Sequence, residues 1–106
     1  MAIAHFSRKA EEDLLNIAAY TLQKWGEAQA DRYLAQIEAC CFRLAGNPRL
    51  GRLCGDLHAD WHASGLRRME RGKHVVFYRE HDDGILVSRI LHVSMLPDKY
   101  TMEDDA

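Results

Sequence analysis

Apolar positions recur at three- and four-residue spacing through the first half of the chain and change to a two-residue period in the second. Leu14, Ile17, Ala18, Thr21 and Trp25 predict an amphipathic helix over about residues 8–25. Ser7 stands at its N-cap, and Glu11, Glu12 and Asp13 lie near the positive end of the helix dipole. Ala10 occupies the place where a capping box needs Glu or Gln, so only half of that motif is present. Gly26 stops the helix. Ala30, Tyr33, Leu34, Ile37, Cys41, Leu44 and Ala45 mark one face of a second helix, which Gly46-Asn-Pro48 ends. So short a connection makes the two helices antiparallel neighbours.

The period then changes. His74-Val-Val-Phe-Tyr-Arg79 and Ile85-Leu-Val-Ser-Arg-Ile-Leu-His-Val93 are rich in β-branched and aromatic residues, and His81-Asp-Asp-Gly84 lies between them. They read as a β-hairpin. Gly65-Leu-Arg-Arg-Met-Glu70 predicts a weaker strand before it, with Gly72 as the turn, and Ala2–Phe6 a short edge strand at the start. Residues 47–63 have no clear period and are expected as a loop with one short turn. The order is β-α-α-β-β-β, an α+β fold in which a helical hairpin packs on a small twisted antiparallel sheet. Residues 1–96 form the single domain, and 97–106 a polar tail expected to fray.

Pairing Glu80 with Ile85 puts Val75, Phe77, Arg79, Leu86, Ser88, Ile90 and His92 on one face. Val76, Tyr78, Val87, Arg89, Leu91 and Val93 fall on the other. Both faces are largely apolar, and one helical hairpin covers only one of them. The second face is therefore expected to need the long loop, the tail or another chain.

The chain has 106 residues, enough for one domain, and its 47 % hydrophobic content is that of a globular protein. A net charge of -2 argues against a general nucleic-acid binder, and direct sequence-specific binding is not expected. Even so, Arg49, Arg52, Arg67, Arg68, Arg71, Lys73, Arg79 and Arg89 crowd the second half, while the tail is acidic. Cys40, Cys41 and Cys54 are too few and wrongly spaced for a disulfide framework. With no long apolar run for a signal peptide or a membrane span, a cytoplasmic protein is expected. Cys40 and Cys41, in the second helix, are expected as packing residues, and Cys54 lies in a loop that leaves its exposure open.

An ordered set of short motifs now becomes informative. Phe6-Ser7, Ala10-Glu-Glu-Asp-Leu14, Ile17-Ala-Ala-Tyr20, Trp25-Gly26, Gln29-Ala30 with Tyr33, and Leu44-Ala45 with Pro48 and Gly51 are followed by Gly65-Leu-Arg67, His74-Val-Val-Phe-Tyr-Arg79 and Arg89-Ile-Leu-His92 with Met95. Over about residues 3–96 the chain resembles ParE-type toxins of the RelE/ParE superfamily, the toxic half of bacterial toxin–antitoxin pairs. The resemblance implies the α+β fold already read from the periods. It also implies a cognate antitoxin that folds onto the toxin, and DNA gyrase as the target of the ParE branch. The RelE branch instead cleaves messenger RNA on the ribosome.

Ribonuclease chemistry needs several cations and a proton-transfer group around one phosphate. Arg67, Arg71, Lys73, Arg79 and Arg89, with His92 or Tyr100, are the available groups. The face parity separates Arg79 from Arg89 and joins Arg79 to His92, which suits a binding patch and falls short of a nuclease. Arg67, Arg79, Arg89 and His92 are therefore expected as target or antitoxin contacts, with no catalytic residue and no cofactor. Each strand arginine has a structural alternative, a carboxylate such as Glu70, Glu80, Asp82 or the tail. His92 is expected to be hydrogen-bonded and partly buried. His58 and His62 are spaced for a metal on a helix, but the local sequence keeps no helical pattern and lacks the glutamate of a zinc protease, so no metal is expected. Trp25 and Trp61 are expected as core and loop anchors.

Overall fold

The computed structural model describes residues 2–54 and 65–95. The expectations for the tail, for Tyr100, for Trp61 and for the His58–His62 pair lie outside these residues. Strand β1 (Ile3–Phe6) leads into helices α1 (Arg8–Trp25) and α2 (Glu27–Gly46). Strands β2 (Arg52–Leu53), β3 (Arg67–Arg71), β4 (His74–His81) and β5 (Gly84–His92) follow. They form one sheet in the order β1-β5-β4-β3-β2.

The helices form for the reasons their spacing implies. Ser7 Oγ accepts the Ala10 N–H at 3.0 Å, and Gly26 N–H closes the other end on the Leu22 carbonyl at 3.0 Å. Ser7 does a second job. Its hydroxyl donates to the Ser88 carbonyl at 2.7 Å and its N–H to the Val87 carbonyl at 3.0 Å, so the start of α1 is fastened to β5. The helical stripes bury Ala10, Ile17, Ile37, Cys41, Leu44 and Ala45 against Val76, Tyr78, Ile85, Val87 and Ile90. Each of the large side chains in this layer contributes about 1.5–3 kcal/mol of transfer free energy.

Three features depart from the sequence reading. First, β1 pairs with β5 in parallel, so the sheet is mixed and antiparallel only from β5 to β2. Gly84 makes this possible, because a Cβ there would run into the Ile3 carbonyl oxygen. Second, two residues of the expected loop form β2, paired with β3.

Third, the β4–β5 register shifts between Phe77 and Tyr78. Tyr78 opposes Val87 but Phe77 opposes Arg89, which leaves Ser88 as an extra residue on β5. Up to that bulge the expected parity holds, with Glu80 opposite Ile85. Beyond it every β5 side chain changes partner. Val76 now faces Ile90, and both belong to the helix-side core. Leu91 instead joins Phe77, Val75, Leu66 and Cys54 in a second cluster.

That second cluster lies on the face expected to need the long loop, the tail or another chain, and the first of these contributes to it through Cys54. Phe77, Leu91, Leu66 and Cys54 are all buried within the single chain. Cys54 and Leu66 pack on this face, tied to each other by Cys54 N–H donating to the Leu66 carbonyl at 2.9 Å. Cys54 is thus a core residue rather than an exposed loop thiol. Large apolar side chains are exposed instead on the helices, at Leu15, Tyr20, Leu22, Trp25 and Phe42. Trp25, expected as a core anchor, is 62 % exposed on the last residue of α1.

Candidate functional site

The four residues expected at an interface fall in separate places. Arg89 is engaged inside the fold. Its Nε donates to Asp13 Oδ2 at 2.8 Å and its Nη2 to Asp13 Oδ1 at 2.9 Å, with side-chain exposures of 12 % and 11 %. Asp13 Oδ2 also accepts the Ile90 N–H at 2.9 Å. One carboxylate therefore locks α1 to β5 through a bidentate ion pair and a main-chain bond.

Arg67 props up the segment before β2. Its Nη1 donates to the Gly51 carbonyl at 2.7 Å. Across the β3–β4 ladder, the Tyr78 hydroxyl donates to the Pro48 carbonyl and accepts the Gly51 N–H, each at 2.8 Å. Burial pushes the Tyr78 phenol above its ordinary pKa. Arg79, half-buried, sits near the hairpin turn opposite Leu86.

His92 lies at the far end, opposite His74. The five residue steps from His74 to Arg79 span roughly 16 Å of strand. The expected sharing of a face by Arg79 and His92 fails, because the bulge turns His92 to the helix side.

His92 belongs instead to a cleft of about 290 Å³ where the helical hairpin meets the ends of β4 and β5. Tyr20, Lys24, Trp25, Tyr33, Lys73 and His74 share its lining. A neighbouring depression of about 430 Å³ continues along α1 past His92 to Met95.

The cleft is organised by Tyr33. Its hydroxyl accepts the Lys73 N–H at 3.0 Å, donates towards the Arg71 carbonyl at 3.4 Å and lies 2.6 Å from His74 Nδ1. His74 packs edge-on against His92, with ring centroids 5.3 Å apart. Ser94 N–H donates to His92 Nδ1 at 3.1 Å. His92 thus accepts at Nδ1, which leaves its Nε2 to carry a proton. Burial, and then the neighbouring His92, hold the His74 pKa below its ordinary value, while Asp13 acts in the opposite direction.

Gly72 makes the turn beneath Tyr33. Its φ is +61°, and an added Cβ would press on the Tyr33 ring. At the rim, Lys24 Nζ sits 5.6 Å from the centroids of both Tyr20 and Trp25. Such an exposed cation–π contact is worth about 0.5–1 kcal/mol. Two exposed aromatic rings, two lysines and a pair of histidines form a surface suited to holding an apolar, acidic segment.

Cys40 and Cys41 pack as expected. Burial pushes the Cys41 thiol up to about 12, far from the reactive thiolate range.

Sequence reasoning missed Asp13, Tyr20, Tyr33 and His74 as site residues. Asp13 reads as a dipole residue, and its partner lies 76 positions away. Tyr33 sits within a helical stripe and reads as core, while Tyr20 enters only as part of the Ile17-Ala-Ala-Tyr20 motif. His74 had a usable signal, a polar ring opening an otherwise apolar strand.

Residues 4–97 match the profile of the family described as ParE toxin of type II toxin-antitoxin system, parDE. A protein named Toxin ParE1 from Caulobacter vibrioides is 40 % identical over 91 residues, covering 84 % of this chain and 86 % of its own. A Toxin ParE1 from Mycobacterium tuberculosis is 35 % identical over 94 residues, covering 88 % of this chain and 91 % of its own. A solved structure titled "Chromosomal ParDE TA system from P. aeruginosa" shares the fold with a TM-score of 0.67 at 23 % identity, over 87 % of this chain and 96 % of that one.

Proposed function

The chain belongs to the ParE toxins of type II toxin–antitoxin systems, and from that premise we propose that it acts by binding, with DNA gyrase as its target and a cognate antitoxin as its inhibitor. The observation that carries the antitoxin reading is the exposed Tyr20–Trp25 pair at the mouth of the cleft. A few residues supply most of the binding energy in protein interfaces, and Trp, Tyr and Arg are enriched among them. An antitoxin helix or extended segment with apolar and acidic side chains would bury the two rings and meet Lys24 and Lys73. The solved relative whose title names a ParDE system has the same fold, which supports this partner class.

The gyrase reading rests on the family. Within it, the four expected contacts take different parts. His92 contacts the antitoxin in the cleft. Arg67 and Arg79, at the opposite end of β4, contact the target. Arg89 acts through Asp13 as a positioning residue. Arg79 and His92 stand apart along the strand, so these two do not meet at one phosphate as the expected cation and proton-transfer pair of a nuclease would.

Controlled expression in bacteria tests the reading. DNA synthesis stops first, with an SOS response, and co-expressed antitoxin restores growth. Early arrest of translation with cut transcripts would overturn it in favour of a ribosome-dependent endoribonuclease.

A further inference from the structure

At the opposite edge of the molecule from the cleft, three potential metal ligands converge from three places in the chain. His5 comes from β1, His81 ends β4, and Asp83 lies in the β4–β5 turn. Their ligand atoms all lie within 4.8 Å of one another. His5 Nε2 is 2.8 Å from Asp83 Oδ1, and His81 Nδ1 is 3.3 Å from the same oxygen. The two imidazole centroids are 4.7 Å apart.

The backbone beneath them is fixed. The Ile3 N–H donates to the Asp83 carbonyl at 2.8 Å, and β1 runs parallel to β5 from the Ile3–Gly84 pair onward. Gly84 permits that close pass, and His81 pairs with Gly84 on the other side. The parallel strand thus brings together residues more than 70 positions apart, |i−j| being 78 for His5 and Asp83.

We propose that His5, His81 and Asp83 form a surface site for a divalent transition-metal ion of the zinc type. Ligand atoms around a tetrahedral zinc stand about 3.3 Å apart, from bond lengths near 2.0–2.1 Å. The two contacts to Asp83 are already close to that separation. The side chains are partly exposed, so small rotations complete the set without disturbing the core. Two imidazoles and one carboxylate select zinc, cobalt, nickel or copper over magnesium and calcium, which require oxygen ligands. Three protein ligands leave a coordination position open to water or to a side chain of a partner. A bound ion clips β1 to the hairpin turn and stiffens the parallel edge of the sheet. The site is separate from the antitoxin cleft, so it stands or falls independently of the proposed function.

The test is a titration of the untagged full chain, stripped of metal by a chelator, with zinc chloride and followed by ¹H–¹⁵N NMR. The expected result is that amides at His5, His81 and Asp83 respond first, while magnesium chloride leaves them unmoved. His81→Ala and Asp83→Asn each weaken zinc binding by at least about tenfold. Both sites of change are at the surface, and the spectrum of each variant reports its fold directly. His5→Gln is the replacement should either variant fail to fold. Responses that begin at His74 and His92 or at the cysteines, or equal zinc affinity in wild type and variants, overturn the proposal.

Discussion

Replacing Asp13 by alanine leaves the Arg89 guanidinium without its bidentate partner and the Ile90 N–H without its acceptor. With both side chains about one-tenth exposed, water replaces little of what is lost. Breaking a buried pair from one side costs about 3–5 kcal/mol. A domain of this kind has a total stability of about 5–15 kcal/mol, so Asp13→Ala removes a large share of it. At about 4–8 °C per kcal/mol, the melting temperature falls by at least about 12 °C.

Urea unfolding of wild type, Asp13→Ala, Arg89→Ala and the double variant completes the cycle. The double variant costs less than the sum of the singles by about 1.5–3 kcal/mol, since each single already breaks the same pair. A loss below about 1 kcal/mol for Asp13→Ala, or strict additivity of the two singles, would refute the role given to this pair.

The depressed His74 pKa makes stability depend on pH. Between its folded value and the ordinary 6.5, the unfolded chain binds more protons than the folded one, so stability is full above 6.5 and declines as pH falls below it. Urea midpoints for wild type and His74→Gln between about pH 5 and 8 converge if this is right, wild type losing its advantage on the acid side; parallel profiles exclude it. Gly84→Ala drives a methyl group into the Ile3 carbonyl and is expected to free β1, seen as faster hydrogen exchange at Ile3 and His5 with β3–β4 unchanged. Arg79→Ala reduces toxicity on expression while leaving antitoxin rescue intact, and retained toxicity removes Arg79 from the target surface.

The helical hairpin was legible because its apolar stripes each hold a single period and end at Gly26 and Gly46-Asn47-Pro48. The β4–β5 hairpin was legible for the same reason, and its Glu80–Ile85 pairing is as expected. The bulge was not, because it sits where Ser7 reaches the Ser88 carbonyl across 81 positions, a tertiary bond with no local signature. That one extra residue moved Ile90 and His92 to the helix side and Leu91 to the other. The site reading inherited the error, since Arg79 and His92 were joined by parity alone. The parallel pairing of β1 and the Asp13–Arg89 lock are likewise long-range, and residue spacing cannot report them.

The affinity of the cognate antitoxin for wild type, Trp25→Ala and Arg79→Ala tests the binding account most directly. Loss of an aromatic anchor from the centre of an interface costs at least about 2 kcal/mol, a weakening of about thirtyfold. Trp25→Ala is expected to show that loss and Arg79→Ala to stay within about threefold of wild type. Unchanged affinity for Trp25→Ala, with the loss at Arg79 instead, would place the antitoxin at the other end of the sheet and contradict the account.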